Sequence, residues 1–284
     1  MDYGISFPTM DLTDPGEIRE FAQGAEALGY EQLTALEHTL GVNSSDNYTP
    51  DTTIHEPMTL FAYLAAVTKT IRFGNSILIL PQRQAVLVAR QAAEIDVLSG
   101  GRMTLGIGIG SNAEEAAGMG TDFHNRGARV DEQIALMRAL WTEREVTFHG
   151  QWHDLDSAGL TILPVQRPIP IYMGGGHGQK PLERIGRLAD GWIAMGSAGG
   201  QLAEQITAIR TSATAAGRDP ASIVIQGRMS LVTGNPEDWI ERAQAWGAMG
   251  ATNLVVNTGR GGLTNVGQHL ELAERFMQDA APQL

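Results

Sequence analysis

Cysteine is absent from the 284 residues. That excludes a disulfide framework, iron–sulfur ligation, a thiolate zinc site and a cysteine nucleophile. Lysine is nearly absent as well: only Lys69 and Lys180 occur, so Schiff-base chemistry has two possible nucleophiles, both in stretches with helical patterning. Positive charge is scarce. Twenty Lys and Arg face 32 Asp and Glu, a formal net charge of −12, which argues against non-specific nucleic-acid binding and against adhesion to an anionic membrane. No apolar run approaches the ~20 residues of a membrane span. The opening MDYGISFPTM has neither a basic n-region nor an apolar h-region, so a soluble cytoplasmic protein is the expectation. There is no Walker A sequence and no G-x-S-x-G elbow, which removes support for nucleotide hydrolysis and for a serine hydrolase of that type.

What is present is a rhythm. Hydrophobic residues make up 43%, enough for a large core. Strand-like runs fall at residues 3–7, 32–36, 71–78, 103–109, 169–173, 191–195, 223–229 and 253–257, each followed by a helical pattern. Asp14-Pro15-Gly16-Glu17 carries a cap, a proline at the first helical position and an acid in the first turn, and Asn235-Pro236-Glu237-Asp238 repeats it. In the third helix, Val86, Ala89, Ala93 and Val97 read as one face. Eight β/α units predict a closed (β/α)8 TIM barrel spanning 1–284 as a single domain. A doubly wound sheet is the alternative, but it usually has fewer strands. Insertions follow strand two (39–56, polar and turn-rich) and strand four (from 111, Gly-rich, to about 168), the latter containing a hairpin at 146–155 that turns at Gly150. Loops after barrel strands lie on the catalytic face.

Three constellations at strand ends can carry chemistry. Glu37-His38 closes strand two and places a carboxylate beside an imidazole, which can position a ligand or move a proton. Strand four reads Leu105-Gly106-Ile107-Gly108-Ile109-Gly110-Ser111-Asn112. The alternation predicts that Gly106 and Gly108 leave the inner face bare for something flat, and that Gly110-Ser111 offers N–H groups and a hydroxyl to a phosphate. Gly174-Gly175-Gly176 follows strand five just before a helix, where a backbone nest and the helix N-terminus can share one anion. The plain alternatives are tight turns and a flexible loop. In strand three, Gly74-Asn75-Ser76 interrupts an apolar run and suggests a bulge. His149 and His153 are four apart, but the hairpin between them argues against a metal pair. Arg126 and Arg129 are expected to pair with Asp131 or Glu132, or else to bind an acidic group.

Taken in order, Glu37-His38, Gly74–Leu78, Arg102–Asn112, the R-x-x-R-x-D-E pattern from Arg126 and Gly174–Gly176 resemble the bacterial luciferase-like superfamily, and within it the oxidoreductases that use the deazaflavin coenzyme F420. The resemblance implies a barrel whose mouth holds a tricyclic ring. It further implies a non-prolyl cis peptide at Ser76–Ile77 in a strand-three bulge (Asn75, Ser76, Ile77) behind one face of that ring, and a cofactor phosphate held by Gly110-Ser111 and Gly175-Gly176, with Gly108 and Gly174 also in the cofactor site. His38 and Glu37 would stand near the ring as the catalytic pair, and Arg83 could reach a polyanionic tail. The sugar-phosphate dehydrogenases of that group carry an acid where Ser111 stands and a tryptophan where Val42 stands. Both departures argue against sugar-phosphate oxidation.

The expected activity is hydride transfer between coenzyme F420 and a small organic substrate, with no metal. One alternative is an FMN-dependent two-component monooxygenase, which needs a separate cofactor reductase as partner. Another is a non-catalytic flavin- or deazaflavin-binding barrel. An aldolase-type barrel would need a lysine at a strand end. A homodimer is implied by the resemblance only.

Overall fold

A computed structural model describes residues 1–176 and 178–284, leaving His177 outside the described residues. In chain order the elements are β1 (Asp2–Ser6), α1 (Pro15–Ala27), β2 (Gln32–Ala35), α2 (Pro57–Val67), β3 (Arg72–Asn75), β4 (Leu78–Ile79), α3 (Ala85–Ser99), β5 (Met103–Gly108), α4 (Ala113–Gly118) and α5 (Arg126–Thr142). They continue with β6 (Val146–His149), β7 (Asp154–Ala158), β8 (Ile171–Gly174), α6 (Gln179–Leu188), β9 (Gly191–Ile193), α7 (Gly200–Ala215), β10 (Val224–Ser230), α8 (Pro236–Ala248), β11 (Asn253–Asn257) and α9 (Val266–Arg275).

The strands close on themselves. β1 pairs with β2 and with β11, and the ring runs on through β10, β9, β8, β5 and β3, all parallel. β3 and β4 are one barrel strand broken at Ser76–Ile77, whose peptide bond is cis; Arg167–Pro168 is the other cis bond. This is the (β/α)8 barrel that the eight-fold pattern predicts. β6 and β7 form the separate antiparallel hairpin within the insertion.

The start signals work as their chemistry requires. Asp14 accepts from the N–H groups of Gly16 and Glu17, and Asn235 and Asp238 close a reciprocal capping box. The core has two layers. Outside the strands, Trp141, Trp239 and Trp246 pack under the helices, fully buried, and the Trp141 indole donates to Ala89 O at 2.9 Å. Inside, Gln226 Nε2 donates to Gln32 Oε1 and to Asn253 Oδ1, both at 2.8 Å. β10 and β2 are not neighbours in the ring, so this amide bridge crosses the interior and plugs the barrel.

Three local readings change. The buried residues of α3 include Ala85, Val88, Ala89, Ala92, Ala93 and Asp96, whereas Val86 is exposed; the true stripe starts one residue earlier and is made of small residues. The segment after Gly110 is not all loop, because α4 forms within it, capped by Asn112. Lys69 falls just past the end of α2, and Lys180 sits at the start of α6. Neither lies at the C-terminal end of a strand, so the aldolase alternative has no placed lysine.

Candidate active site

Two adjoining cavities of about 560 and 580 Å³ open at the C-terminal ends of the strands. Leu36, Ser76, Ile193, Met195 and Arg228 line both, so they form one trough across the barrel mouth. The first limb lies over β2, the bulge, β5 and β8; the second over β1, β9, β10 and β11. Every residue expected at the site except Asn75 lines the first limb: Glu37, His38, Ser76, Ile77, Gly108, Gly110, Ser111, Gly174, Gly175 and Gly176. Asn75 is buried just beneath, its Oδ1 without a partner among the described residues.

The inner face of β5 is not bare. A Cβ on Gly106 would lie 1.7 Å from Asn75 O, and one on Gly108 would lie 2.6 Å from Ile77 Cδ1. A Cβ on Gly174 would lie 2.7 Å from Ile77 Cγ2. These glycines therefore make room for the chain's own bulge. It is Ile77, seated on Gly108 and Gly174, that offers the flat apolar surface to the cavity, where alternation in the sequence had suggested naked backbone.

At the far end of the limb the backbone is arranged for an anion. Gly175 and Gly176 have φ of 127° and 146°, in the left-handed half of the map where glycine alone is unstrained. Their carbonyls are turned away by the Trp192 indole (2.7 Å) and Gln205 Nε2 (2.6 Å). The N–H groups of Gly110, Ser111, Gly175 and Gly176 find no partner among the described residues. α6 begins at Gln179 with no side-chain cap, so its N-terminus adds the favourable end of a helix dipole. Arg126 and Arg184 line the same end.

The arginine pairing expected from sequence is not formed. Asp131 holds Arg184 and, at 2.7 Å, Arg187. Glu132 instead accepts from His153 and from the N–H groups of Gln151, Trp152 and His153, tying down the hairpin. Among the described residues Arg126 is left with carbonyls only, Gly110 O at 3.2 Å and Phe123 O at 2.7 Å, and lies on the Phe123 ring. Arg83 does not reach for a tail: it binds Glu37 and Glu56.

Glu37 and His38 face different tasks. The Glu37 carboxylate is buried, accepting from Ile79 N–H at 2.6 Å and from Arg83. Burial pushes its carboxyl up; Arg83 and the Ile79 N–H pull it back only in part, and it stays above the ordinary value. Those bonds tie the end of β2 to β4, just past the bulge. The His38 ring stacks on Tyr48 at 3.9 Å, and its Nδ1 lies 3.1 Å from Oε2 of Glu115. Burial raises the carboxyl of Glu115, but the His38 hydrogen bond and charge with the N–H groups of Leu40 and Thr39 outweigh it, leaving a net lowering. An ionised carboxylate only accepts, so His38 Nδ1 carries the proton of this bond and Nε2 is the atom left for the cavity.

Sequence reasoning missed Glu115 and Tyr48. The signal for Glu115 was present: Asn112-Ala113-Glu114-Glu115 is an N-cap with an acid three residues on. Asn112 caps α4, but Glu115 does not close the box; it turns to His38 and Thr39 instead. Tyr48 comes from the polar insertion, whose own sequence shows no partner for it.

At one rim the parallel barrel brings together an apolar slot on Ile77, an N–H cradle and a fixed imidazole, an arrangement whose shape and chemistry suit a flat, phosphate-bearing molecule. The luciferase-like monooxygenase family model matches residues 2–283, and the chain belongs to that family. It is 30% identical over 246 residues to the F420-dependent glucose-6-phosphate dehydrogenase of Kineococcus radiotolerans, covering 84% of this chain and 70% of the relative. Among solved structures it resembles the coenzyme F420-dependent tetrahydromethanopterin reductase of Methanopyrus kandleri (TM-score 0.78, 18% identity, 99% of this chain and 98% of that one). It is equally similar to the oxygenating constituent of 3,6-diketocamphane monooxygenase from Pseudomonas putida, solved with FMN (TM-score 0.79, 15% identity, 100% and 98%). No helix among the described residues is long and apolar enough to cross a membrane.

Proposed function

We propose that this chain is an oxidoreductase that uses coenzyme F420 to transfer hydride to or from a small organic substrate. The observation that carries the proposal is His38, fixed by Glu115 and Tyr48 inside the cavity whose far end is the Gly110–Ser111 and Gly175–Gly176 cradle. The deazaflavin, when bound, supplies a two-electron hydride chemistry that the protein itself lacks.

The residues divide the remaining work. The cradle N–H groups, the start of α6 and Arg126 hold phosphate. Ile77, Ile79 and Met173 give the ring an apolar seat. Glu37, through Arg83 and Ile79 N–H, holds β2 and the bulge in register and is a positioning residue. His38 is the catalytic residue: its Nε2 takes the proton of a substrate hydroxyl in the oxidative direction and returns it to a carbonyl oxygen in the reductive one, while Glu115 keeps the ring in the required tautomer. Tyr48 and the 39–56 insertion cover the site from water.

The FMN-bound structural neighbour supports one competing reading, an FMN-dependent monooxygenase fed by a separate reductase. Paired anaerobic and aerobic assays separate the two: anaerobic turnover of carbonyl substrates with reduced F420, and none with reduced FMN under either atmosphere, is the expected result, and oxygen-dependent turnover with reduced FMN in the aerobic arm would overturn it. His38→Ala should lower kcat by about 10²–10⁴-fold and leave the cofactor dissociation constant within about twofold by fluorescence titration.

A further inference from the structure

The second limb of the trough is electrically unlike the rest of the molecule. The chain carries a net charge of −12, yet among the described residues no Asp or Glu lines this cavity, while Arg228 and Arg242 do. Arg242 is spent on carbonyls: Ser230 O at 3.1 Å and Thr233 O at 2.7 Å, with Asp238 O below. Arg228 has no carboxylate; its one polar contact among the described residues is Met195 Sδ at 3.5 Å. Its side chain is open to solvent at the mouth of the trough, and partial desolvation there lowers the guanidinium from its ordinary value, with Tyr48 opposing and Arg260 adding to the fall.

Two further features lie in or beside this limb. Thr34, 1% exposed, lines the limb with its hydroxyl unpartnered, and a buried hydroxyl without a partner is costly unless something completes it. Arg260, in the turn after β11, has φ of 64° although glycines flank it on both sides. A non-glycine residue held there is strained, and strain of this kind gathers at working sites. Its guanidinium lies just outside the lining, 3.4 Å from Asn47 Oδ1 and 5.5 Å from the centre of the Tyr48 ring, the same ring that stacks on His38.

We infer that the second limb is a subsite for an oxyanion group of the substrate, anchored by Arg228 with Arg260 beside it, so that this enzyme acts on small anionic molecules. This rests on the oxidoreductase reading for the chemistry but not for the binding. The planar fork of an arginine suits a carboxylate or phosphate in two-point contact. An anion held there places the rest of the molecule along Met195 and Leu36, toward His38 and the bulge. The phosphate cradle of the first limb lies at the other end of the trough, with its own arginines.

Calorimetric titration of benzoate, inorganic phosphate and neutral benzamide, with and without bound cofactor, tests this. Benzoate, phosphate or both should bind at least about tenfold more tightly than benzamide; which of the two binds assigns a carboxylated or a phosphorylated substrate. Arg228→Met should abolish that preference, and Arg228→Lys should keep part of it. Both variants should keep the wild-type far-ultraviolet spectrum and a cofactor affinity within about twofold. Equal binding of charged and neutral probes would overturn the proposal. So would an Arg228→Met variant that loses cofactor affinity as much as anion affinity, since the arginine would then serve the cofactor's tail. Retained anion preference in a protein that binds neither F420 nor FMN would overturn the oxidoreductase reading and leave the subsite standing.

Discussion

Glu115 and His38 are 77 residues apart in sequence and joined by a 3.1 Å hydrogen bond, from the first turn of a six-residue helix to the end of the second barrel strand. The same carboxylate accepts the Thr39 N–H at 2.9 Å, so one acid fixes both the imidazole and the backbone that carries it. Glu115→Gln offers a carbonyl oxygen and an NH2 group in nearly the same shape, but no charge. It should lower kcat about 10–100-fold, in line with the loss of a charged group behind a working histidine. KM and cofactor affinity should hold, and Glu115→Asp should rescue little because the shorter arm cannot span to Nδ1. Steady-state kinetics with a cofactor titration check this; a fall in kcat matched by an equal loss of cofactor affinity would make Glu115 a merely structural prop.

The same carboxylate makes stability pH-dependent. Its folded-state pKa is lowered, so the folded protein holds the ionised form to lower pH than the unfolded chain does. The stabilisation is therefore complete above the unfolded value of about 4.3 and is lost as pH falls through the folded value. The side chain is out of reach of solvent, and a contribution of about 1 kcal/mol is expected for the hydrogen bonds it accepts. Urea unfolding of wild type and Glu115→Gln should differ by that amount at pH 6; the gap should begin to narrow below about pH 4.3 and close only once pH is below the lowered folded value. A gap that stays constant across this range would show that the carboxylate is not the source.

The barrel was legible because each of its signals is local. Alternating apolar runs and the Asp14-Pro15 and Asn235-Pro236 caps each act within a few residues, and eight β/α units in series leave one simple closure. The cradle was legible for the same reason, since glycine runs at strand ends state a backbone requirement directly. What the sequence hid was pairing at a distance. Asp131 and Glu132 sit beside Arg126 and Arg129 in the chain, but α5 turns them toward α6 and the hairpin, so their partners are Arg184, Arg187 and His153. Glu37 was read with His38 because they are adjacent; both line the first limb just past the end of β2, but their partners differ, Arg83 and Ile79 N–H for Glu37, Glu115 and Tyr48 for His38. The Gly106 and Gly108 pattern was seen, but its tenant, the Asn75–Ile77 bulge, comes from the neighbouring strand.

Gly175 separates two roles for one position. A Cβ there would meet nothing within 4 Å, so space is free, but φ of 127° penalises any side chain. Gly175→Ala tests the backbone alone and should cost about 1–3 kcal/mol of stability, with a small loss of cofactor affinity. Gly175→Glu adds a negative charge beside the proposed phosphate site at the same backbone cost. It should weaken cofactor binding at least about tenfold beyond the alanine variant, and the excess should shrink in high salt as the charge is screened. Equal affinities for the two variants by fluorescence titration would remove this loop from the phosphate site.

Gly106 is the strictest position in the barrel wall. Its added Cβ would sit 1.7 Å from a backbone carbonyl, that of Asn75, with Ile193 Cδ1 at 3.0 Å on the other side. A flexible side chain could swing away; a carbonyl in a barrel strand cannot move without carrying β3 and the bulge with it. Gly106→Ala should therefore cost more than the about 1–3 kcal/mol of ordinary overpacking, enough to lower soluble yield or to shift the thermal midpoint by several degrees. At Gly108 the obstruction is the end of the Ile77 side chain at 2.6 Å, which has rotamers to spare, so Gly108→Ala should fold. Its defect should appear instead in the cofactor dissociation constant, because Ile77 would be pushed into the slot. Thermal melts of both variants, read beside cofactor titration of Gly108→Ala, distinguish the two positions; equal stability for both would mean that the bulge yields more easily than its packing indicates.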